Sequence, residues 1–170
     1  MILPLHPPQS PIPAIVVSRY NAAITDRLLE GARRAFQDRG GDPESLIIAH
    51  APGAFELPVI ALALASRPEV AGVLALGCII RGETRHDRYI AHAVARGLTD
   101  VSLRTGKPAA FGVLTVENAQ QADARSGAKS NKGEESMTAL LDTMATCSAI
   151  YAGVRPAPAS ARPEKARPRR

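Results

Sequence analysis

GCIIRGETRHDRY, residues 77–89, stands between an apolar run and a segment of helical spacing. The run over residues 73–80 stops at Arg81-Gly82, and the polar Glu83-Thr84-Arg85-His86 follows at once. After it, Ile90, Val94, Leu98 and Val101 recur at the interval of one helix face. That pattern predicts a buried strand over 70–80, a tight turn with glycine at the bend, and a helix over 84–103. Unpaired N–H groups at a helix start, together with the positive end of the helix dipole, make an anion site. His86 falls one helical turn beyond Gly82, where an imidazole can carry protons near neutral pH.

Working outward, AIVV at 14–17 and LIIA at 46–49 predict further short buried strands, and AAFGVL at 109–114 a fourth. Between the first two, Ile24, Leu28, Ala32, Ala35 and Phe36 mark a helix that ends at Gly40-Gly41. Ala54-Phe55-Glu56 is expected to open a second helix, with Pro58 tolerated in its first turn. Asn118 and Gln121 form a capping-box pattern for a short helix that ends at 125–127. A last helix begins near 131–133, with Met137, Leu140, Leu141, Met144 and Tyr151 on one face. Strands alternating with helices predict an α/β fold: a three-layer α/β/α sandwich on a four-stranded parallel sheet. Ligands bind at the carboxyl ends of such strands, so residues 18–21, 52–56, 81–86 and 115–118 are expected at one rim.

Flanking this domain, residues 14–154, are a proline-rich extension over 1–13 and a Pro/Arg/Ala-rich tail over 155–170, expected to be disordered. The tail holds six basic residues and one acid, which accounts for the whole net charge of +5. The domain itself is neutral, aromatics make up 4% of the chain and Trp is absent, which argues against a nucleic-acid surface. No apolar run approaches membrane-spanning length, and the start, broken by five prolines, lacks the pattern of a signal peptide. Cys78 and Cys147 lie in apolar segments and are expected as buried reduced thiols, so the cytoplasm is the expected compartment.

Each candidate has a plainer alternative. Tyr20 beside Asn21 could stack on a planar ring or simply staple a helix start. Glu56 could bind a ligand or only favour the helix dipole, and Arg125 could hold an anion or compensate a helix C-terminus. His50 and His92 lack the turn context of His86, and Lys129 and Lys132 are most simply solvated charges. The residues alone give a small-molecule site with an anion pocket.

APGAFELP (51–58), ALGCIIRGETRH (75–86), FGVLTVEN (111–118) and NKGEE (131–135), in that order and spacing, resemble the lumazine synthase family, and SRYN (18–21) is similar to its aromatic-Asn element. The resemblance runs from about Ile15 to Tyr151. It implies a flavodoxin-like topology and a transferase of riboflavin biosynthesis. Such enzymes condense 5-amino-6-(D-ribitylamino)uracil with 3,4-dihydroxy-2-butanone 4-phosphate to 6,7-dimethyl-8-ribityllumazine, phosphate and water. No cofactor or metal is implied, and the sequence holds no His/Cys cluster with ligand spacing.

Carried over by motif, the resemblance implies that Tyr20 stacks on the pyrimidine, where the family usually has Phe or Trp. Asn21, Ala54, Phe55 and Glu56 would hold the pyrimidine and its ribityl chain, lined by Cys78, Ile79 and Ile80. Gly82, Glu83 and Thr84 would meet the phosphate, Arg125 would clamp it, and His86 would carry protons. Phe111, Arg125 and Lys132 would arrive from the adjacent subunit of a homopentamer, which in some relatives assembles further into a shell. Asp87-Arg88 departs from the family's common aromatic, and the loop over 125–131 is one residue shorter than in many relatives. That leaves Lys129 beside Lys132 as the site lysine, with the NKG context favouring Lys132. Two other readings are a non-catalytic flavin-binding or shell-forming homologue and a nucleotide-dependent switch; SRYN offers no metal pocket or cofactor loop for the latter.

Overall fold

Runs rich in Val, Ile, Leu and Ala supply four strands, and the computed structural model, which describes residues 12–153, pairs all four in parallel. They are β1 (Ile12–Ser18), β2 (Ile47–Ala51), β3 (Val70–Ile80) and β4 (Ala109–Val116), in the order β2-β1-β3-β4. Parallel neighbours need crossovers, supplied by α1 (Ala22–Asp38), α2 (Leu57–Ala65) and α3 (His86–Thr105). After β4 come α4 (Ala119–Ser126), the two-residue strand β5 (Ser130–Asn131) and α5 (Lys132–Tyr151).

Side-chain alternation along β3 divides the core into two layers. Val73, Ala75 and Ile79 pack with Leu57, Ala61, Val94 and Leu98, under α2 and α3. Leu74, Leu76 and Cys78 pack with Leu28, Ala32, Met137 and Leu140, under α1 and α5. The result is the expected three-layer sandwich of flavodoxin-like topology, with both faces of the central strands covered. Each fully buried Leu or Met contributes about 1.5–3 kcal/mol of transfer free energy.

Glycine sets the closest approach of two helices. A Cβ on Gly133 would lie 1.9 Å from the Leu28 carbonyl oxygen, so α5 can start against α1 only without a side chain there. Asn131 locks the same joint. Its Nδ2 donates to the carbonyls of Arg27 (2.9 Å) and Ser126 (3.1 Å), and its Oδ1 accepts from the N–H groups of Gly133 and Glu134. Such a cap satisfies two helix-start donors at once.

The differences from the sequence reading have local causes. β1 begins at Ile12, not at 14, and takes in Pro13. The ladder shifts register between Ile12 and Pro13, and that irregularity accommodates the missing donor. α2 begins at Leu57 because Glu56 turns its carboxylate back onto the Gly53 N–H (3.0 Å) and closes the preceding turn. α3 begins at His86, not at 84. A 3-10 turn (Pro43–Ser45), capped by Asp42, and a tight hairpin pairing Ser126 with Asn131 and Gly127 with Ser130 were not anticipated. Tyr151 lies outside the core, half exposed, with its hydroxyl donating to the Gly106 carbonyl (3.4 Å). Cys147 is only half-buried, while Cys78 is buried as expected. The expected tail and residues 1–11 of the expected extension lie outside the described residues.

Candidate functional site

The switch in strand order between β1 and β3 sends their following segments to opposite sides and opens a crevice at the carboxyl ends. A cavity of about 480 Å³ occupies it. Three turns line it: Tyr20 after β1, Gly53 to Glu56 after β2, and Gly82, Thr84 and His86 after β3. The strand end Cys78, Ile79 and Ile80 forms the floor.

The turn after β1 is held by its own polar groups. The Thr25 hydroxyl donates to the Ser18 carbonyl (2.7 Å), the Tyr20 N–H donates to the Ser18 hydroxyl (3.2 Å), and Arg19 N–H donates to the Ala51 carbonyl of β2 (2.8 Å). Asn21 takes a left-handed backbone, φ 60°, a conformation Asn tolerates better than most residues. Its Nδ2 donates to the Cys78 carbonyl (2.9 Å) and ties the β1 turn to the end of β3. Tyr20 lines the cavity and is left 71% exposed, available for stacking.

In the turn after β3, residues 81–86 are all exposed. Among the described residues, the N–H groups of Gly82, Glu83 and Thr84 find no partner, so successive donors are free at the start of α3. A Cβ on Gly82 would meet nothing within 4 Å, and its φ is not positive. No internal contact therefore requires glycine there, which leaves room for a ligand's close approach. Burial, and secondarily the charge of Asp123, pushes the Cys78 thiol up to about 11, so this sulfur is a neutral wall and not a nucleophile.

The four strand ends lie at one rim, as expected, and Arg81 bonds across it to Val116 and Glu117, but the segments after them do not share one cavity. β4 is an outer strand, as is β2, and its end lines a different cavity of about 280 Å³ with Thr115, Val116, Arg125, Ser130, Lys132 and Glu135. Arg125 is exposed there and donates to the Gln121 carbonyl (3.2 Å). Lys132 faces both this cavity and a groove containing Phe111, whereas Lys129 lies at the hairpin tip and lines neither. So ten of the expected residues meet in the first cavity (Tyr20, Ala54, Phe55, Glu56, Cys78, Ile79, Ile80, Gly82, Thr84 and His86). Asn21 and Glu83 are chain neighbours of its lining residues but do not line it, and Phe111, Arg125 and Lys132 line other surfaces. Reasoning from sequence missed Asp87 and Ile90 in the first cavity and Glu135 in the second. Helical spacing carried the signal, since Ile90 follows His86 by one turn and Glu135 follows Lys132, whose Nζ is 3.5 Å from its carboxylate.

A family model for 6,7-dimethyl-8-ribityllumazine synthase matches residues 13–148. A protein of that name from Thermus thermophilus is 46% identical over 138 residues, 81% of this chain and 88% of that protein. Proteins of the same name from Stenotrophomonas maltophilia (45% over 139 residues, 81% of this chain and 90% of that one) and Helicobacter pylori (43% over 138 residues, 81% and 88%) are also similar. The matched span runs from β1 into α5 and includes both cavities, and the chain belongs to the 6,7-dimethyl-8-ribityllumazine synthase family.

Proposed function

We propose that the chain condenses 5-amino-6-(D-ribitylamino)uracil with 3,4-dihydroxy-2-butanone 4-phosphate to give 6,7-dimethyl-8-ribityllumazine, phosphate and water, the penultimate step of riboflavin biosynthesis. The observation that carries it is one cavity holding an exposed aromatic face, a carboxylate, a turn with free N–H donors and a histidine. Tyr20 stacks on the pyrimidine, and Asn21, Ala54, Phe55 and Glu56 hold it with its ribityl hydroxyls. The residual acceptor capacity of Glu56, beyond its bond to Gly53, suits sugar hydroxyls. Residues 82–84 receive the phosphate at the start of α3.

The amine attacks the butanone carbonyl, and the imine forms with loss of water. Phosphate then leaves, and ring closure releases a second water. Each step moves a proton, which His86 at the cavity wall carries between nitrogen and oxygen atoms. The remaining acceleration comes from holding two substrates in line.

The site is completed by a neighbouring subunit in a ring of five, which brings Phe111, Arg125 and Lys132 over the cavity. What supports this is their placement: within one chain they line other surfaces, and Arg125 keeps most of its guanidinium fork free for a phosphate. The compartment is the cytoplasm, which suits two free cysteines. No helix among the described residues is long and apolar enough to cross a membrane.

The test is an absorbance assay with both substrates on purified protein. The lumazine chromophore is the expected result. A folded, ring-forming protein that yields no chromophore but retains flavin would replace the enzyme with a non-catalytic homologue.

A further inference from the structure

The turn that carries the free N–H donors is weakly anchored. Among the described residues, Gly82, Glu83 and Thr84 make no hydrogen bond, and all are exposed. The fixed point is Arg81, at the step from β3 into the turn. Its N–H donates to the Val116 carbonyl (2.9 Å), which extends the β3–β4 ladder by one residue. Its Nη1 donates to Glu117 Oε2 (2.7 Å). Glu117 is itself placed, since its N–H donates to Gln121 Oε1 (3.0 Å) in the first turn of α4. The next turn of α4 presents Arg125, whose Nη1 donates to the Gln121 carbonyl.

We propose that Arg81 and Glu117 form a clasp that positions the phosphate-binding turn against the β4–α4 connection. The proposal rests on the function argued above. Neither residue need touch substrate; both act by restricting the turn. A loose turn must be ordered when the anion arrives, and that ordering weakens binding. Glu117 also keeps the guanidinium engaged, its hydrogen bond first and its charge second raising the Arg81 pKa.

The sign of one substitution separates the clasp from a simple charge field. Glu117→Gln removes a negative charge near the anion site, and by Coulomb's law alone phosphate should then bind more tightly. It would also free Arg81 to reach the phosphate directly. The clasp predicts the reverse, since the ion pair holding the Arg81 side chain is reduced to a weaker hydrogen bond with a neutral amide and only the backbone bond to Val116 is left intact.

The experiment titrates inorganic phosphate on the full chain, by calorimetry and as an inhibitor competing with the butanone phosphate. Expected for Glu117→Gln is a roughly three- to fivefold weaker phosphate and a matching rise in that substrate's KM, the range an exposed pair transmits. The pyrimidine KM and kcat at saturation stay near wild type, and Glu117→Asp, which keeps the charge, recovers most of the affinity. Unchanged or tighter phosphate binding by Glu117→Gln overturns the clasp. If the wild type makes no lumazine, the proposed function fails, and calorimetry still decides the clasp. A wild type that neither turns over nor binds phosphate removes both.

Discussion

Asn21 donates from its side-chain amide to the Cys78 carbonyl over 2.9 Å while its own backbone sits at φ 60°. One residue thus reverses the chain after β1 and ties that reversal to the end of β3. Replacing it separates the two contributions. Asn21→Ala loses the bond and meets the left-handed penalty of about 1–2 kcal/mol, added to about 1 kcal/mol for the bond. Asn21→Gly loses the bond without the steric penalty. Urea denaturation should therefore rank wild type above Gly and Gly above Ala, and Ala equal to Gly would remove the steric part of the account.

The elements around this joint were legible because their burial follows simple periods. β1 and β3, covered on both faces, show as unbroken apolar runs, and α1 and α5 show as stripes. Pro13 hid the start of β1, since proline ordinarily marks the edge of a strand and here its missing donor falls at a register shift. Sequence placed Tyr20, Glu56, Gly82 and His86 near one another because all follow strand ends. It gave no warning that the residues after β4 would open elsewhere. That depends on strand order and on α4 and α5 packing beside β4, which no local pattern encodes.

Two glycines should respond oppositely to the same change. In Gly133→Ala the new Cβ meets the Leu28 backbone, which cannot swing aside as a side chain can. A loss of about 3 kcal/mol or more is expected, at the upper end of common single substitutions. In Gly82→Ala the Cβ enters open space, so thermal stability should hold while the KM for the butanone phosphate rises. A Gly82→Ala enzyme with unaltered KM would mean that no ligand approaches that backbone.

Cys78 supplies a prediction in pH. Its thiol is pushed from an ordinary 9.0 up to about 11, burial first and Asp123 second. At pH 8 only about a thousandth is thiolate, so iodoacetamide should label half-buried Cys147 well before Cys78. Below the unfolded value both states hold the proton. Between about 9 and 11 the unfolded chain releases it first, so stability falls as pH rises through that window. A Cys78→Ala variant should lack this part of the alkaline decline in urea midpoint.

His86 and Arg125 line different cavities of one chain, and a site shared between neighbours makes a prediction that a self-contained site does not. His86→Ala should lower kcat by about 10²–10⁴ with little change in KM, as loss of a general acid–base does. Arg125→Ala should instead raise the KM for the butanone phosphate about tenfold or more, as loss of a charged hydrogen bond does. Unfolding the two variants together and refolding them as mixed rings places subunits at random. About a quarter of the interfaces then pair an intact His86 with an intact neighbouring Arg125, if sites are formed across a cyclic interface. The mixture should recover activity to about that fraction of wild type. Recovery would also depend on the ring closing, so dilution below the assembly threshold should abolish it. Mixed rings no more active than the average of the separate variants would place both residues in the same subunit's site.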